Sequence, residues 1–191
     1  MLTVRKALLA LALVVVGFSV AGAGAGAPAG DGPTFAGKRL AFPNGYREWI
    51  YVTSGFDMSY SPAMSMGGSH TFDNVFVNPS AYRSFVETGR WPDGTALVLE
   101  HRTARTKGSI NRSGSFQTSA SDIEVHVRDH TRFAGGWGFF AFSPGDASSA
   151  MIPRTVACYA CHAQHAAVDT TFVQFYPTLA AIARAKGSFR R

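Results

Sequence analysis

The chain has 191 residues and a formal net charge of +6. Hydrophobic residues make up 46% of it, which is enough apolar content for one domain with a proper core. Its basic residues are scattered rather than clustered in a stripe, so the charge argues against a nucleic-acid-binding protein. It has only two cysteines, which excludes a fold held by a framework of disulfides.

The N-terminal residues have the pattern of a secretory signal peptide. Arg5 and Lys6 form a positive region, residues 7–20 are an apolar run of signal-peptide length, and the alanine–glycine tract from Ala21 offers several cleavage sites. The apolar run is short for a membrane span. We therefore expect a signal peptide at residues 1–27, export to the periplasm, and a single mature domain at residues 28–191.

The first half of the mature chain combines short strands with one helix. Aromatic and β-branched residues at 46–53 favour a strand, or a short helix running into one, and residues 75–77 predict another strand. Asn78 followed by Pro79 predicts the start of a helix, and Gly89 predicts its end. Strand composition returns at residues 95–101, before a basic loop that is predicted at 102–115.

The second half begins with the clearest alternation of apolar and polar residues in the chain, at 123–128. A dense aromatic strand is predicted at 137–142, followed by a turn-rich connection at 143–149. Residues 169–186 predict a partly helical segment that is interrupted at Pro177. Together these patterns predict a β-rich α+β domain, with an antiparallel sheet and a few flanking helices.

Residues 158–162 read C-x-x-C-H, the attachment sequence of a c-type haem. Thiols at this spacing reach the two vinyl groups of one porphyrin edge, and the histidine that follows can ligate the iron. We therefore expect one covalent haem c packed against the sheet. Cys158 and Cys161 would form the thioethers, and His162 would be the proximal iron ligand.

Three other interpretations of this pentapeptide are weaker. A zinc site needs about four ligands and would have to recruit distant histidines. A thioredoxin-like redox pair is expected near a βαβ pattern, and none precedes the motif. A disulfide across four residues has poor geometry. Export supports the haem interpretation, because haem is attached to thiols outside the bacterial cytoplasm.

Several segments, taken together and in order, resemble the cytochrome P-460 family. They are residues 43–52 (PNGYREWIYV), 76–79 (FVNP), 88–89 with 93–95 (TG and DGT), Glu124 with 127–129 (VRD), 136–140 (GWGFF), the C-x-x-C-H motif and 175–177 (FYP). The resemblance implies a periplasmic, β-rich, usually homodimeric c-type haem protein. It also implies a five-coordinate iron, with a histidine on one side and an open position on the other.

Two further site residues follow from the resemblance. Glu124 matches a distal carboxylate of the family's enzymes and is a candidate proton acceptor for a bound nitrogen substrate, although alternation alone is typical of an exposed strand position. Leu99 stands where the catalytic members carry a lysine that is joined covalently to the haem. Leucine has no nucleophilic nitrogen, so we predict a haem without this cross-link, as in the cytochrome c-prime-beta type. In that type an apolar distal pocket admits small gases, and Phe76 and Phe116 are candidates for its wall.

Three functions therefore remain open. The leading hypothesis is a protein that binds small nitrogen oxides such as nitric oxide. The second is an enzyme that oxidises hydroxylamine or nitric oxide, with Glu124 as proton acceptor; the absence of the cross-link lysine argues against it. The third is an electron-transfer cytochrome, which needs a redox partner cytochrome and a sixth iron ligand. Candidate sixth ligands, each more typical of ordinary core or surface, are Met58, Met64, Met66, Met151, His70, His101, His126, His130 and His165.

Overall fold

The computed structural model describes residues 31–59 and 70–190. The predicted signal peptide at residues 1–27 lies outside these ranges, as do two candidate ligands, Met64 and Met66. None of the helices within the described ranges has the length and apolar composition needed to cross a bilayer.

The predicted β-rich α+β fold is confirmed. The described residues form a five-stranded and a three-stranded antiparallel sheet with three α-helices. The larger sheet has the order β3-β4-β5-β6-β7, so each strand pairs with the next one along the chain. In chain order the elements are β1 (Phe35–Ala36), β2 (Arg39–Ala41), a 3₁₀ helix (Tyr46–Glu48), β3 (Ile50–Phe56), β4 (Thr71–Val77), α1 (Pro79–Thr88), β5 (Ala96–Arg105), β6 (Phe116–Arg128), β7 (Trp137–Phe142), β8 (Ser148–Ser149), α2 (Ala157–His165), a second 3₁₀ helix (Val173–Phe175) and α3 (Pro177–Ala185).

Most element boundaries follow local chemistry, and two predicted ones were wrong. Helix α1 begins at Pro79 and is capped by Gly89 in the left-handed conformation, as predicted. The loop predicted from residue 102 begins later, because β5 continues to Arg105 in register with Phe116 of β6. Pro177 starts α3 rather than interrupting a helix, because the first turn of a helix does not need the N–H that proline lacks.

The two faces of the five-stranded sheet bury different cores. On one face Val77 and Leu97 pack with Phe85 of α1 and Leu179 of α3. We call this the helix face. On the other face a second core packs the sheet against the smaller sheet; its members include Leu40, Tyr46, Val98, Val125 and Phe140. Residues paired across neighbouring strands share a face, so the register decides which side chains meet.

A buried carboxylate ties β5 to the chain on the side opposite the helix face. Glu100 is 2% exposed; it accepts a hydrogen bond of 2.7 Å from the Tyr46 hydroxyl and one of 2.9 Å from Nε of Arg102. Burial alone would raise the pKa of Glu100, but the hydrogen bonds from Arg102, Tyr46 and Arg47 hold it at about 2. This network anchors the strand that carries Leu99 on its other face.

Candidate haem site

The C-x-x-C-H motif forms part of helix α2. Cys158, Cys161 and His162 are three and four positions apart, so they share one side of the helix. Both cysteines are free thiols and are partly accessible to solvent. This arrangement presents two thiols and one imidazole to the same space.

Tyr159, one of the two variable residues of the motif, attaches α2 to β7. Its ring meets that of Phe139 edge-on, with centroids 4.6 Å apart. Its hydroxyl donates to the carbonyl of Ile152 at 3.0 Å and accepts from the N–H of Phe139 at 3.2 Å. The position of the thiols relative to the sheet therefore depends on a residue that the motif does not specify.

The ring of His162 is held in one orientation and one tautomer. Its Nδ1 lies 2.8 Å from the carbonyl oxygen of Thr170, and because a carbonyl only accepts, Nδ1 carries the proton. Nε2 is then the lone-pair nitrogen, the form in which histidine ligates a metal. Burial lowers the pKa of His162, opposed by the hydrogen bond to Thr170, which favours the neutral imidazole. The ring packs against Phe139 and Phe172, with centroid distances of 4.7 and 4.3 Å.

His126 is a direct neighbour of His162. Its ring is buried and stacks on Phe139, with centroids 3.9 Å apart and planes 14° apart. The centroids of the His126 and His162 rings are 5.3 Å apart and the planes are nearly perpendicular. Burial and the nearby His162 keep the pKa of His126 well below its ordinary value. This contact fits a neighbour of the proximal ring better than a ligand on the opposite side of an iron.

Leu99 and Glu124 face each other across β5 and β6, and both lie on the helix face. They are register partners, and Glu124 is paired on its other side with Ala141 of β7. Glu124 is two residues from His126 on the same strand, a distance of about 7 Å. The structure thus brings two residues that are 25 positions apart in sequence to the sheet face that His162 contacts. Leu99 is half-buried, whereas Glu124 and Ala141 are exposed.

A group of titratable side chains surrounds Glu124. Ligating atoms of His101, Asp122 and Glu124 all lie within 4.8 Å of one another. His101 Nδ1 lies 2.7 Å from a carboxylate oxygen of Asp73, its register partner on β4. Desolvation against the sheet raises the pKa of Glu124; His101 opposes this shift, and repulsion from Asp122 and Asp73 adds to it. Glu124 thus lies at an exposed position of the strand and close to other titratable groups of the sheet. Sequence reasoning missed His101 and Asp73 in this setting, and only their strand register brings them together.

The two candidates for a distal wall, Phe76 and Phe116, lie away from Leu99 and Glu124. Phe76 pairs with Val98 on the face opposite Leu99, and its ring packs against Tyr46 at 5.6 Å. Phe116 lies at the far end of β6, opposite Arg105 and eight residues from Glu124.

The other candidate sixth ligands in the described residues have contacts away from His162. His70 pairs with Asp57, and His130 pairs with Asp93. Met151 packs on the core between the sheets, and Met58 lies over Gly55 of β3. His165 is exposed at the end of α2.

Taken together, these residues fit a covalently attached haem. Two accessible thiols and one imidazole nitrogen with a free lone pair share a side of α2, and on the helix face Glu124 and Ala141 are exposed beside the half-buried Leu99. Comparison with protein-family models gives a match to Cytochrome P460 over residues 43–173, a range that includes the motif, Leu99 and Glu124. Comparison with curated proteins gave no match.

Proposed function

The chain belongs to the cytochrome P460 family, and from this premise we propose that it is an exported mono-haem c-type cytochrome that binds small nitrogen oxides such as nitric oxide. Family membership implies a c-type haem protein involved in nitrogen-oxide chemistry, and the C-x-x-C pair suggests covalent attachment. In the proposal Cys158 and Cys161 form the thioethers and His162 is the proximal ligand. A haem held in this way supplies an iron with one open position for a small ligand.

The observation that carries the proposal is the identity and position of Leu99. Its side chain lies on the helix face, and Leu99 is the register partner of Glu124 on the neighbouring strand. This is the position at which the resemblance places the cross-linking lysine of the enzymes. A hydrocarbon side chain has no group that can form a covalent bond to a porphyrin, and it offers no hydrogen bond to water or to an anion. The lysines of residues 28–191 are Lys38, Lys107 and Lys186, which lie in the β1–β2 turn, in the β5–β6 loop and at the end of α3. None of the three belongs to a strand of the helix face, so an uncross-linked haem is expected.

Glu124 favours a second candidate function, the oxidation of hydroxylamine or nitric oxide. A carboxylate with a raised pKa is suited to accept protons near neutral pH. His101 and Asp122 lie close enough to pass such protons towards the surface. This candidate requires an external electron acceptor, such as a partner cytochrome, and it must work without the lysine cross-link.

We further propose export to the periplasm and a homodimer. The pattern of residues 1–27 supports export. Tyr51 and Phe56, 54% and 46% exposed, support a dimer because they lie on β3, an edge strand of the larger sheet. Exposed aromatics on a sheet edge are typical of contact surfaces.

The first experiment is the visible spectrum of the mature protein, produced in a host that attaches c-type haem. We expect an ordinary high-spin ferric and dithionite-reduced spectrum that shifts when nitric oxide is added. A strongly red-shifted, broadened ferrous Soret band would show a cross-linked macrocycle and overturn the argument from Leu99. Hydroxylamine oxidation with an added electron acceptor would then become the leading function.

The variant Leu99→Lys tests the position itself. Lysine on the helix face beside Glu124 is expected to produce the red-shifted ferrous band that the wild type lacks. The matched control is Ala141→Lys, which places a lysine on the other side of Glu124 and is expected to keep the ordinary spectrum. An unchanged spectrum in Leu99→Lys would show that residue 99 does not reach the haem edge.

A further inference from the structure

The carbonyl that receives the hydrogen bond of His162 belongs to a tight turn, residues 168–171, which we call the 170 turn. Two backbone hydrogen bonds between Val168 and Thr171 close it, at 2.8 and 3.3 Å. Asp169 within it has a φ of +52°, a left-handed conformation that is unfavourable for most residues other than glycine. A turn of this kind keeps its shape only where surrounding contacts hold it.

Strand β6 contacts two adjacent residues of the 170 turn, Asp169 and Thr170. Nη1 of Arg128 donates to a carboxylate oxygen of Asp169 at 2.8 Å, and both side chains are at least two-thirds buried. Nε2 of His126 lies 3.3 Å from Oγ1 of Thr170. Because residues two apart on a strand point to the same side, one short piece of β6 contacts both central residues of the turn.

His126 is itself unable to move freely. It is 8% exposed, and its ring lies against Phe139 at 3.9 Å and Trp137 at 4.3 Å. A buried imidazole nitrogen is costly without a hydrogen-bond partner, and Thr170 provides one. The imidazole and the hydroxyl therefore restrain each other at the position from which Thr170 contacts His162.

We propose that His126 is a positioning residue for the proximal ligand: through Thr170 it places the carbonyl that accepts the Nδ1 proton of His162. The inference rests on the proposed function, because it assumes that His162 ligates haem iron. A histidine whose second nitrogen donates to a well-placed acceptor is a more basic ligand. A more basic axial ligand strengthens the iron–histidine bond and favours the ferric state. His126 thus acts on the iron only through Thr170 and His162.

The test uses the full mature haem protein with His126→Phe, Thr170→Val and both together. Phenylalanine keeps the aromatic stack and valine keeps the shape of threonine, so each change removes one side of the same hydrogen bond. The readouts are the iron–histidine stretching frequency of the ferrous protein, from resonance Raman spectra, and the reduction potential. We expect a lower frequency and a more positive potential in both single variants. The double variant should shift no further than either, since the pair acts as one unit.

Two control variants separate positioning from packing. Trp137→Phe changes the other ring against His126, and the indole nitrogen of Trp137 has no hydrogen-bond partner among the described residues. Thr170→Ser keeps the hydroxyl. Both are expected to retain the wild-type frequency and potential.

Either of two outcomes would overturn the inference: wild-type values in His126→Phe and Thr170→Val, or an equal shift in Trp137→Phe. If His126→Phe does not fold, Thr170→Val and Thr170→Ser decide the question between them. Failure of the proposed function looks different, because the wild type itself would then lack the spectrum of a histidine-ligated c-type haem.

Discussion

Replacing Glu100 with glutamine should destabilise the protein in a pH-dependent way. The Glu100 carboxylate is 2% exposed and binds the Tyr46 hydroxyl and the Arg102 guanidinium on the face opposite Leu99. It also pairs with Arg47, but the side chain of Arg47 is 56% exposed, so solvent weakens that contact. Glutamine keeps the shape but removes the charge, leaving Arg102 without its counter-ion.

The magnitude follows from the pKa of Glu100, which falls from 4.5 to about 2 on folding. At about 1.4 kcal/mol per pKa unit, this shift corresponds to about 3 kcal/mol of folding free energy at neutral pH. Because the folded-state pKa is depressed, this stabilisation is present above pH 4.5 and is lost as the pH falls from there towards 2. A loss of this size is a large fraction of the stability of a typical domain.

The assay is chemical unfolding at several pH values between 7 and 2.5, comparing the wild type with Glu100→Gln. The difference in unfolding free energy should be largest at pH 7 and shrink towards pH 2.5, where the carboxylate is protonated in the unfolded chain and begins to be protonated in the folded protein. Other acidic groups titrate equally in both proteins and cancel in the difference. Glu48→Gln, at an exposed position two residues after Tyr46, is the control and should show little change. A difference that does not vary with pH would refute the proposed linkage.

Two further substitutions test the site. Cys158→Ala should leave haem attached through Cys161 alone, which a shifted pyridine haemochrome band would detect. The control Ala160→Ser, on the exposed side of α2, should leave the band unshifted. An unshifted band in Cys158→Ala would show that Cys158 forms no thioether. Glu124→Gln should leave the binding of nitric oxide to the ferrous protein unchanged, because this ligand needs no hydrogen-bond donor. The wild type is also compared with Glu124→Gln in a hydroxylamine oxidation assay, with Asp122→Asn as the control. If the wild type oxidises hydroxylamine and Glu124→Gln lowers that rate by about 10²-fold or more, the enzymatic candidate is favoured.

Local chemistry was sufficient for several features of this protein. The spacing of Cys158, Cys161 and His162 matches the geometry of one porphyrin edge, so the motif predicts haem attachment without a structure. Alternation at 123–128 and the aromatic run at 137–142 predicted strands β6 and β7 because side-chain direction repeats every two residues in a strand. Proline and glycine at the ends of α1 likewise act within a few residues of the chain.

Strand register was decided only by the tertiary structure, and it assembled the rest of the site. A shift of one residue moves every side chain of a strand to the opposite face, and the pairing that selects the register involves residues far apart in sequence. Composition therefore could not show that Phe76 faces away from Leu99, or that Glu124 lies opposite it. The same holds for His126 and Arg128, whose partners in the 170 turn are 44 and 41 residues away. The sequence alone determined the chemistry proposed for the motif, and long-range packing determined which side chains lie around it.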